Sequence, residues 1–363
     1  MSQMRKVLSY GDVLLAPRYS KCKHKSDANL GYQYDANIEF CAVPLINAPM
    51  DTAGHSGLVD YLYHKCDMPA TVHRFFPNVS EQIHFLEETF DPVELVHGSK
   101  IFVAVGSVYK WKDWIDSLLE YRESKDLNFG ILVDMANGDT AACVDTVKYL
   151  TDVKCFTGNL MAGNVATKSG LERLWEAGAN FIRVGIGSGS ICSTRINTGF
   201  GIPVFSSLLD CASIKPDACY IVACGGCEEP GDILKAIAAG ADMVMCGKLF
   251  AATSLAGGAT YTKDLKETLK EDEKYYKAYH GMASAKAQEL IGSEEHKASI
   301  EGVSGLVRYS GRTEDVVQGI LQNLRSAMTY YAGVTNWNEF QRKTKFLEIT
   351  PAGRKESETR VFD

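Results

Sequence analysis

Eight short, continuously apolar segments recur along the 363-residue chain, and each is followed by a stretch with helical periodicity. Apolar runs without alternation are typical of parallel strands that are covered on both faces. Eight alternating strand and helix units predict an α/β fold, the (β/α)8 TIM barrel, with a doubly wound open sheet as the alternative. The predicted strands are residues 43–47, 70–73, 101–105, 130–134, 159–162, 181–186, 220–224 and 243–246.

The barrel is preferred because the eight units follow one another without an obvious domain break. This makes residues 1–363 a single barrel domain, a length that such barrels reach when they carry insertions. A long polar segment after the eighth strand, residues 260–312, predicts a flap at the carboxyl face of the barrel. Its charge run at 263–277 predicts a solvated helix, and residues 351–363 are expected to form a charged tail.

Charge and hydropathy argue against two classes of partner. The net charge of −7 disfavours nucleic acid, whose binding proteins show a basic face. No apolar run approaches the ~20 residues needed to cross a bilayer, so no membrane partner is expected. The N-terminus is polar and unlike a secretory leader, so we expect the 11 cysteines to be reduced thiols of a cytoplasmic protein.

The residues that carry the chemistry of such a barrel lie on the loops after the carboxyl ends of its strands. The loop after the sixth strand carries Cys192 in a glycine-rich segment, with Thr194 and Arg195 close behind it. This is where a nucleophile would be placed, although a small buried cysteine is the common alternative. Glycines after the sixth, seventh and eighth strands together predict a phosphate site built from backbone N–H groups.

Several motifs of the chain resemble those of the IMP dehydrogenase/GMP reductase family. Residues 185–195, Gly-Ile-Gly-Ser-Gly-Ser-Ile-Cys-Ser-Thr-Arg, resemble its active-site loop. Further resemblances are residues 48–52 (Ala-Pro-Met-Asp-Thr), 162–164 (Ala-Gly-Asn), 224–226 (Cys-Gly-Gly) with 230–232 (Pro-Gly-Asp), and 279–284 (Tyr-His-Gly-Met-Ala-Ser). The resemblance spans residues 8–350 and implies a barrel that forms a homotetramer and acts on a purine 5′-monophosphate through the cysteine.

The reductase branch of the family is favoured. Residues 134–138 (Asp-Met-Ala-Asn-Gly) and 198–201 (Thr-Gly-Phe-Gly) resemble the reductase forms of those motifs. The flap at 285–300 lacks the adjacent Arg-Tyr pair of the dehydrogenases, and no CBS domains are inserted after the second strand. Residues 48–52 and 354–357 are closer to dehydrogenase versions. Two alternatives therefore stay open: an IMP dehydrogenase without CBS domains that uses NAD, and a catalytically silent purine-nucleotide-binding homologue.

The resemblance implies reductive deamination of GMP, or of a deoxy or modified analogue, to the inosine nucleotide and ammonia with NADPH. Cys192 would form a thioimidate at purine C2, with Thr194 and Glu301 as the acid–base groups. The implied substrate contacts are Ser190, Gly225, Gly226, Gly247, Lys248, Tyr279, Met282, Ala283 and Arg195. The implied cofactor contacts are Asp134, Asn137, Gly138, Gly163 and Arg74. A potassium ion would be held by the backbone carbonyls of Gly187, Gly189 and Cys192.

Two positions depart from the family pattern. Where the family's Asp-Gly-Gly motif uses its aspartate to bind the ribose hydroxyls, this chain has Cys224, and a thiol does not replace a carboxylate that accepts two hydrogen bonds. Lys248 stands where a small residue is usual after the glycine, and it could add a point charge to the phosphate site. Together these departures suggest tolerance of a 2′-deoxy or otherwise modified purine nucleotide.

Overall fold

Parallel strands dominate the computed structural model, which describes residues 4–34, 41–96, 100–107, 111–281 and 304–357. The strands are β1 (Val13–Leu15), β2 (Tyr32–Gln33), β3 (Cys41–Ala42), β4 (Leu45–Asn47), β5 (Ala70–Val72), β6 (Ile101–Val105), β7 (Gly130–Asp134), β8 (Leu160–Val165), β9 (Phe181–Val184), β10 (Tyr220–Cys224), β11 (Met243–Cys246), β12 (Thr260–Tyr261), β13 (Tyr276–His280), β14 (Ser304–Arg308) and β15 (Phe346–Glu348). Strands β4 to β11 form one eight-stranded sheet, with β4 next to β11 and β5 at the other end.

This sheet confirms the predicted barrel. Each predicted strand corresponds to one observed strand, and the largest shift is at β8, which runs to Val165 rather than stopping at 162. Every side chain of β6 and β7 is buried, as expected for strands with the barrel interior on one face and helices on the other. The carboxyl ends of all eight strands therefore meet at one rim, and the loops that follow them lie together there.

The barrel closes between β4 and β5 through side-chain hydrogen bonds. The Asn47 amide nitrogen donates to the Thr71 carbonyl at 2.9 Å, and the Thr71 N–H donates to the Asn47 amide oxygen at 2.8 Å. The Thr71 hydroxyl completes the set by donating to the Asn47 carbonyl at 2.9 Å. Both residues are fully buried, so these three bonds satisfy polar groups that would otherwise be costly at the seam.

Helices follow most barrel strands and pack around the outside of the barrel. Several begin at a side-chain cap; the Thr167 hydroxyl, for example, accepts from the Gly170 N–H at 3.1 Å. The helices are α1 (Ser56–Asp60), α2 (Val79–Thr89), α3 (Pro92–Val96), α4 (Trp111–Ser124), α5 (Ala141–Lys148), α6 (Lys168–Glu176), α7 (Thr194–Thr198), α8 (Val204–Ala212), α9 (Pro230–Ala238), α10 (Lys248–Ala251), α11 (Thr313–Ser326), α12 (Trp337–Lys343) and α13 (Pro351–Glu356). None of the helices in the described part of the chain is long and apolar enough to span a bilayer.

The segment predicted as a flap contains a small antiparallel sheet of β12, β13 and β14. The helix predicted over 263–277 is wrong: this stretch holds a short 3₁₀ turn, Glu271–Glu273, and the start of β13. The ion pairs of Lys270 with Glu273 and Lys274 with Glu271 satisfy the charge run without a helix. In β13, the side chains of Lys277 and Tyr279 are buried while Tyr276 and Ala278 are less buried, which is the alternation of a strand.

Candidate active site

The Cys192 side chain lies half-buried on the loop after β9, at the carboxyl rim of the barrel. Its sulfur is 3.2 Å from the Thr194 hydroxyl, and its N–H donates to the Gly189 carbonyl at 3.0 Å, which closes a tight turn. The sulfur is therefore neither sequestered in the core nor on an open surface. This arrangement combines a partly accessible thiol with a hydroxyl able to pass a proton.

Arg195 supports this loop from one side. Its Nη2 donates to the Ser188 hydroxyl at 3.0 Å and to the Ile202 carbonyl at 2.8 Å, and its side chain packs against Gly187 and Gly201. These bonds tie the beginning of the loop to the segment that leaves it. The described contacts of Arg195 are thus with the loop itself rather than with the Cys192 sulfur, and its predicted contact with substrate stays a prediction.

Three loops converge beside Cys192. A Cβ at Gly225 would lie 3.0 Å from the Gly189 nitrogen, so only glycine lets the loop after β10 approach the loop after β9 this closely. A Cβ at Gly247 would lie 2.7 Å from the Tyr279 hydroxyl, so the loop after β11 also needs glycine to admit this ring. Gly226 has a φ of +76°, a backbone conformation that favours glycine. The result is a cradle of glycine backbone beside Cys192.

Tyr279 connects the cradle to the flap sheet, since it belongs to β13. Burial raises the pKa of Tyr279, and a hydrogen bond with Ser190 works in the opposite direction. The phenol is therefore neutral at pH 7 and offers its hydroxyl beside both Ser190 and Gly247. Lys248 begins α10 directly after Gly247, and its Nζ lies 3.1 Å from a Glu228 carboxylate oxygen. Neutral donors and one exposed ammonium at glycine-rich loops suit a phosphate.

A buried charge cluster forms the floor beneath this rim. Asp134, at the end of β7, is fully buried, and its two oxygens accept from Arg183 Nη1 and from Arg74 Nε, the latter at 3.1 Å. Arg183 Nη2 lies 3.6 Å from the Cys224 sulfur. Burial disfavours the Arg183 charge, but Cys224 and Asp134 outweigh it and raise the pKa of Arg183. Arg183 therefore keeps its charge inside the barrel, where it shares the Asp134 carboxylate with Arg74.

The predicted cofactor residues lie on this side of the rim. Asp134 is fully buried and each of its oxygens accepts from a guanidinium group, so its contacts favour an indirect role through Arg74. Asn137 is exposed, and the Gly138 N–H donates to the Asn164 carbonyl at 2.6 Å. Gly163 packs against the Arg183 backbone. Their assignment to a cofactor stays a prediction.

Sequence reasoning missed two residues of this region. Arg183 was counted as part of an apolar strand, although a cation inside such a strand signals a buried ion pair. His280, at the end of β13, was not singled out; its Nε2 lies 2.6 Å from an Asp51 carboxylate oxygen. This contact ties the flap sheet to the loop after β4, so it helps to hold Tyr279 over the cradle.

Three predicted site residues, Met282, Ala283 and Glu301, lie outside the described residues. Among the residues that are described, no group of three or more His, Cys, Asp or Glu side chains could hold a metal ion. That finding does not test the predicted potassium site, which would use the carbonyls of Gly187, Gly189 and Cys192. The Gly189 carbonyl already accepts from the Cys192 N–H.

Comparison with known proteins places the chain among similar sequences over almost its full length. The model of the IMP dehydrogenase / GMP reductase domain matches residues 7–360. The chain is 33% identical to GMP reductase of Aeromonas hydrophila, covering 98% of this chain and 97% of that protein. It is 34% identical to GMP reductase 2 of Homo sapiens, with 94% of each covered.

The fold is shared with a crystal structure of a GMP reductase variant from Trypanosoma brucei in complex with guanosine 5′-monophosphate. The TM-score is 0.85 at 22% sequence identity, and the superposition covers 100% of this chain and 99% of that one. At this identity the likeness concerns the fold alone. It agrees with the eight-stranded barrel described above.

Proposed function

The chain belongs to the IMP dehydrogenase / GMP reductase family, and we propose that it is a GMP reductase. As an oxidoreductase of this kind it converts a guanine 5′-monophosphate to the inosine nucleotide and ammonia. The observation that carries the proposal is the Cys192 sulfur, half-buried at the rim, 3.2 Å from the Thr194 hydroxyl and beside a glycine cradle. The names of the similar proteins support the same activity.

Cys192 acts first, as a thiolate that adds to C2 of the purine. The C2–N bond then breaks, the amino group takes up a proton and leaves as ammonia, and a thioimidate remains on the sulfur. A reduced nicotinamide cofactor, when bound on the Arg74 side of the rim, would supply the hydride that C2 accepts. When the C–S bond breaks, its electron pair returns to sulfur, which regenerates the thiolate and releases the inosine nucleotide. Thr194, within hydrogen-bond distance of the sulfur, and Glu301 of the flap move the protons.

The phosphate of the nucleotide lies in the cradle in this proposal. Backbone N–H groups of the glycine loops and the Tyr279 hydroxyl donate to it, and Lys248 can exchange its Glu228 partner for the phosphate. Met282 and Ala283 contact the base. The proposed substrate residues are Ser190, Gly225, Gly226, Gly247, Lys248, Tyr279, Met282, Ala283 and Arg195.

The nicotinamide cofactor binds across the rim from the cradle, and we propose that it is NADPH. Arg74 supports this choice, because its Nε is anchored to the buried Asp134 while 24% of its side chain is exposed and available to an anionic group. Asn137, Gly138 and Gly163 line the same side. A potassium ion, if bound, would be held by the carbonyl oxygens of Gly187, Gly189 and Cys192, where it would steady the nucleophile loop.

The wider organisation is also proposed. A single barrel domain with a flap at 260–312 and a tail at 351–363 would assemble as a homotetramer in the cytoplasm. The ten cysteines whose side chains are described are free thiols, which fits a reducing compartment. In the tail segment, α13 packs near the N-terminus, where the Arg354 guanidinium lies against Gly11.

One contact disfavours the dehydrogenase alternative. The adjacent pair Arg308 and Tyr309 is engaged within the flap sheet: the Arg308 guanidinium lies 5.4 Å from the Tyr275 ring centroid, and the Tyr309 hydroxyl donates to Glu271. A pair held in this way is not presented as a water-activating pair. The reductase therefore remains the better assignment.

The test is to incubate the purified chain with GMP and NADPH and to follow the loss of NADPH absorbance together with ammonia release. A parallel incubation with IMP and NAD tests the dehydrogenase. Ammonia in the first incubation and no XMP in the second is the expected result. XMP formation would establish the dehydrogenase, and nucleotide binding without either reaction would establish the silent homologue.

A further inference from the structure

Cys224 lies at the floor of the rim, beside a guanidinium group and a thioether. Its sulfur is 3.6 Å from Arg183 Nη2 and 3.8 Å from the Met245 sulfur. Within the described residues, no carboxylate is bonded to it. Asp134, the acid that contacts Arg183, has both oxygens engaged by guanidinium groups.

Cys224 lies where the loop after β10 meets the nucleophile loop. It directly precedes Gly225, which packs against Ser188 and Gly189 of the nucleophile loop. If the phosphate lies in the cradle near Tyr279 and C2 of the base reaches Cys192, the sugar must lie between these two points. Cys224 is half-buried at this junction, so part of it is accessible beside the span that the sugar would occupy.

The chemistry of this floor differs from that of a carboxylate site. A carboxylate binds sugar hydroxyls by accepting hydrogen bonds from them, and a buried acceptor left unpaired is costly when a hydroxyl is missing. Thiol sulfur is a weak acceptor, and the guanidinium of Arg183 only donates. The sulfur therefore gains little from a sugar hydroxyl and loses little without one.

We propose that the Arg183–Cys224 pair forms a sugar subsite that does not select for the 2′-hydroxyl, so that purine 2′-deoxynucleoside 5′-monophosphates are substrates alongside ribonucleotides. This inference rests on the proposed reductase function. It names the substrate class more narrowly, and it assigns to Cys224 the role of a specificity-determining residue distinct from the nucleophile.

The test compares GMP with 2′-deoxyguanosine monophosphate (dGMP), both in turnover with NADPH and in equilibrium binding by calorimetry. For the unaltered chain, the two kcat/KM values and the two Kd values are expected to agree within about fivefold, because no carboxylate loses a partner. A preference for GMP of more than about tenfold in Kd would overturn the proposal. If both nucleotides bind equally and neither is reduced, the sugar proposal stands and the reductase function fails.

A substitution that introduces a carboxylate at position 224 should create a preference for the 2′-hydroxyl. Cys224→Asp places a carboxylate beside Arg183, where it neutralises the excess guanidinium charge and can accept from sugar hydroxyls. We expect it to raise the GMP preference at least about tenfold. Cys155→Asp is the matched control: Cys155 is exposed and has a φ of +51°, which aspartate tolerates. An unchanged GMP preference in a folded Cys224→Asp variant would show that this residue does not face the sugar.

Discussion

The sulfur of Cys192 and the hydroxyl of Thr194 lie 3.2 Å apart at the start of α7, two residues from one another in the chain. This spacing joins the proposed nucleophile to a group that can carry its proton. Replacing Cys192 with alanine should reduce NADPH consumption at least about 10³-fold while GMP still binds, because the covalent step is lost. Cys155→Ala, at an exposed cysteine, should be unchanged. Retention of a tenth of the activity by Cys192→Ala would contradict the covalent mechanism.

We expect Thr194 to support the reaction through its hydroxyl group and not through the space that its side chain fills. Thr194→Val removes the proton carrier and keeps the volume, so kcat should fall by about 10²–10⁴-fold. Thr194→Ser keeps the hydroxyl and should retain most of the activity. Single-turnover measurements that separate ammonia release from NADPH oxidation will show which step slows. Equal effects of the two substitutions would argue for a packing role instead.

The Tyr279 hydroxyl, packed against Gly247 and bonded to Ser190, is expected to hold the nucleotide phosphate. Tyr279→Phe should raise the KM for GMP about tenfold or more, since hydrogen bonds to charged groups contribute roughly 1.5–3 kcal/mol. The change in kcat should be smaller. Tyr19→Phe, at a tyrosine that is 86% exposed, is the control. A KM that does not move would place the phosphate elsewhere.

We expect Asp134 to stabilise the fold as well as to position Arg74. Asp134→Asn leaves the Arg183 guanidinium, which is 1% exposed, without its charged partner, so the free energy of unfolding should fall by about 3–5 kcal/mol. The matched control is Asp139→Asn, which removes a partly exposed ion pair with Arg173 and should cost at most about 1 kcal/mol. Urea unfolding measures both. Similar losses in the two variants would mean that the buried cluster tolerates a neutral partner.

We expect the free energy of unfolding to fall in mild acid because of His73. Burial lowers the pKa of His73 to about 4, and its Nδ1 accepts from the Phe75 N–H at 3.2 Å. The unfolded chain, with a histidine pKa near 6.5, therefore binds the proton first as the pH falls. Stability from this group is full above about pH 6.5 and is lost as the pH approaches 4.

The measurement is urea unfolding at pH 7 and pH 5. The unaltered chain should lose about 1–2 kcal/mol more between these values than His73→Asn, which cannot take up the proton. His84→Asn, at an exposed histidine, should follow the unaltered chain. A slope that is the same with and without His73 would show that its proton uptake is not linked to folding.

The barrel strands were predictable because each is an unbroken apolar run, and burial on both faces leaves little room for another pattern. The flap was not. Over 263–277 the density of charge suggested a helix, but the deciding feature is the short alternation of buried Lys277 and Tyr279 within β13. Five residues carry too little periodicity to outweigh a long charge run.

The candidate site was also only partly predictable from the sequence. Cys192 and the glycine loops were found from sequence because local composition marks them. The floor was only partly found, because Asp134, Arg183 and Cys224 lie on three different strands and meet only when the barrel closes. Pairing at a distance of 41 to 49 residues leaves no local signal in one sequence.

The three bonds between Asn47 and Thr71 join β4 to β5, the two ends of the eight-stranded sheet. The other neighbouring strands of this sheet are joined by backbone hydrogen bonds, whereas here one amide and one hydroxyl side chain complete the ring. Because each of these bonds uses a side-chain atom, the contact between β4 and β5 depends on residue identity in a way that the backbone-paired contacts do not. Replacing Asn47 with alanine would remove two of the three bonds and leave the buried Thr71 N–H and carbonyl without these partners.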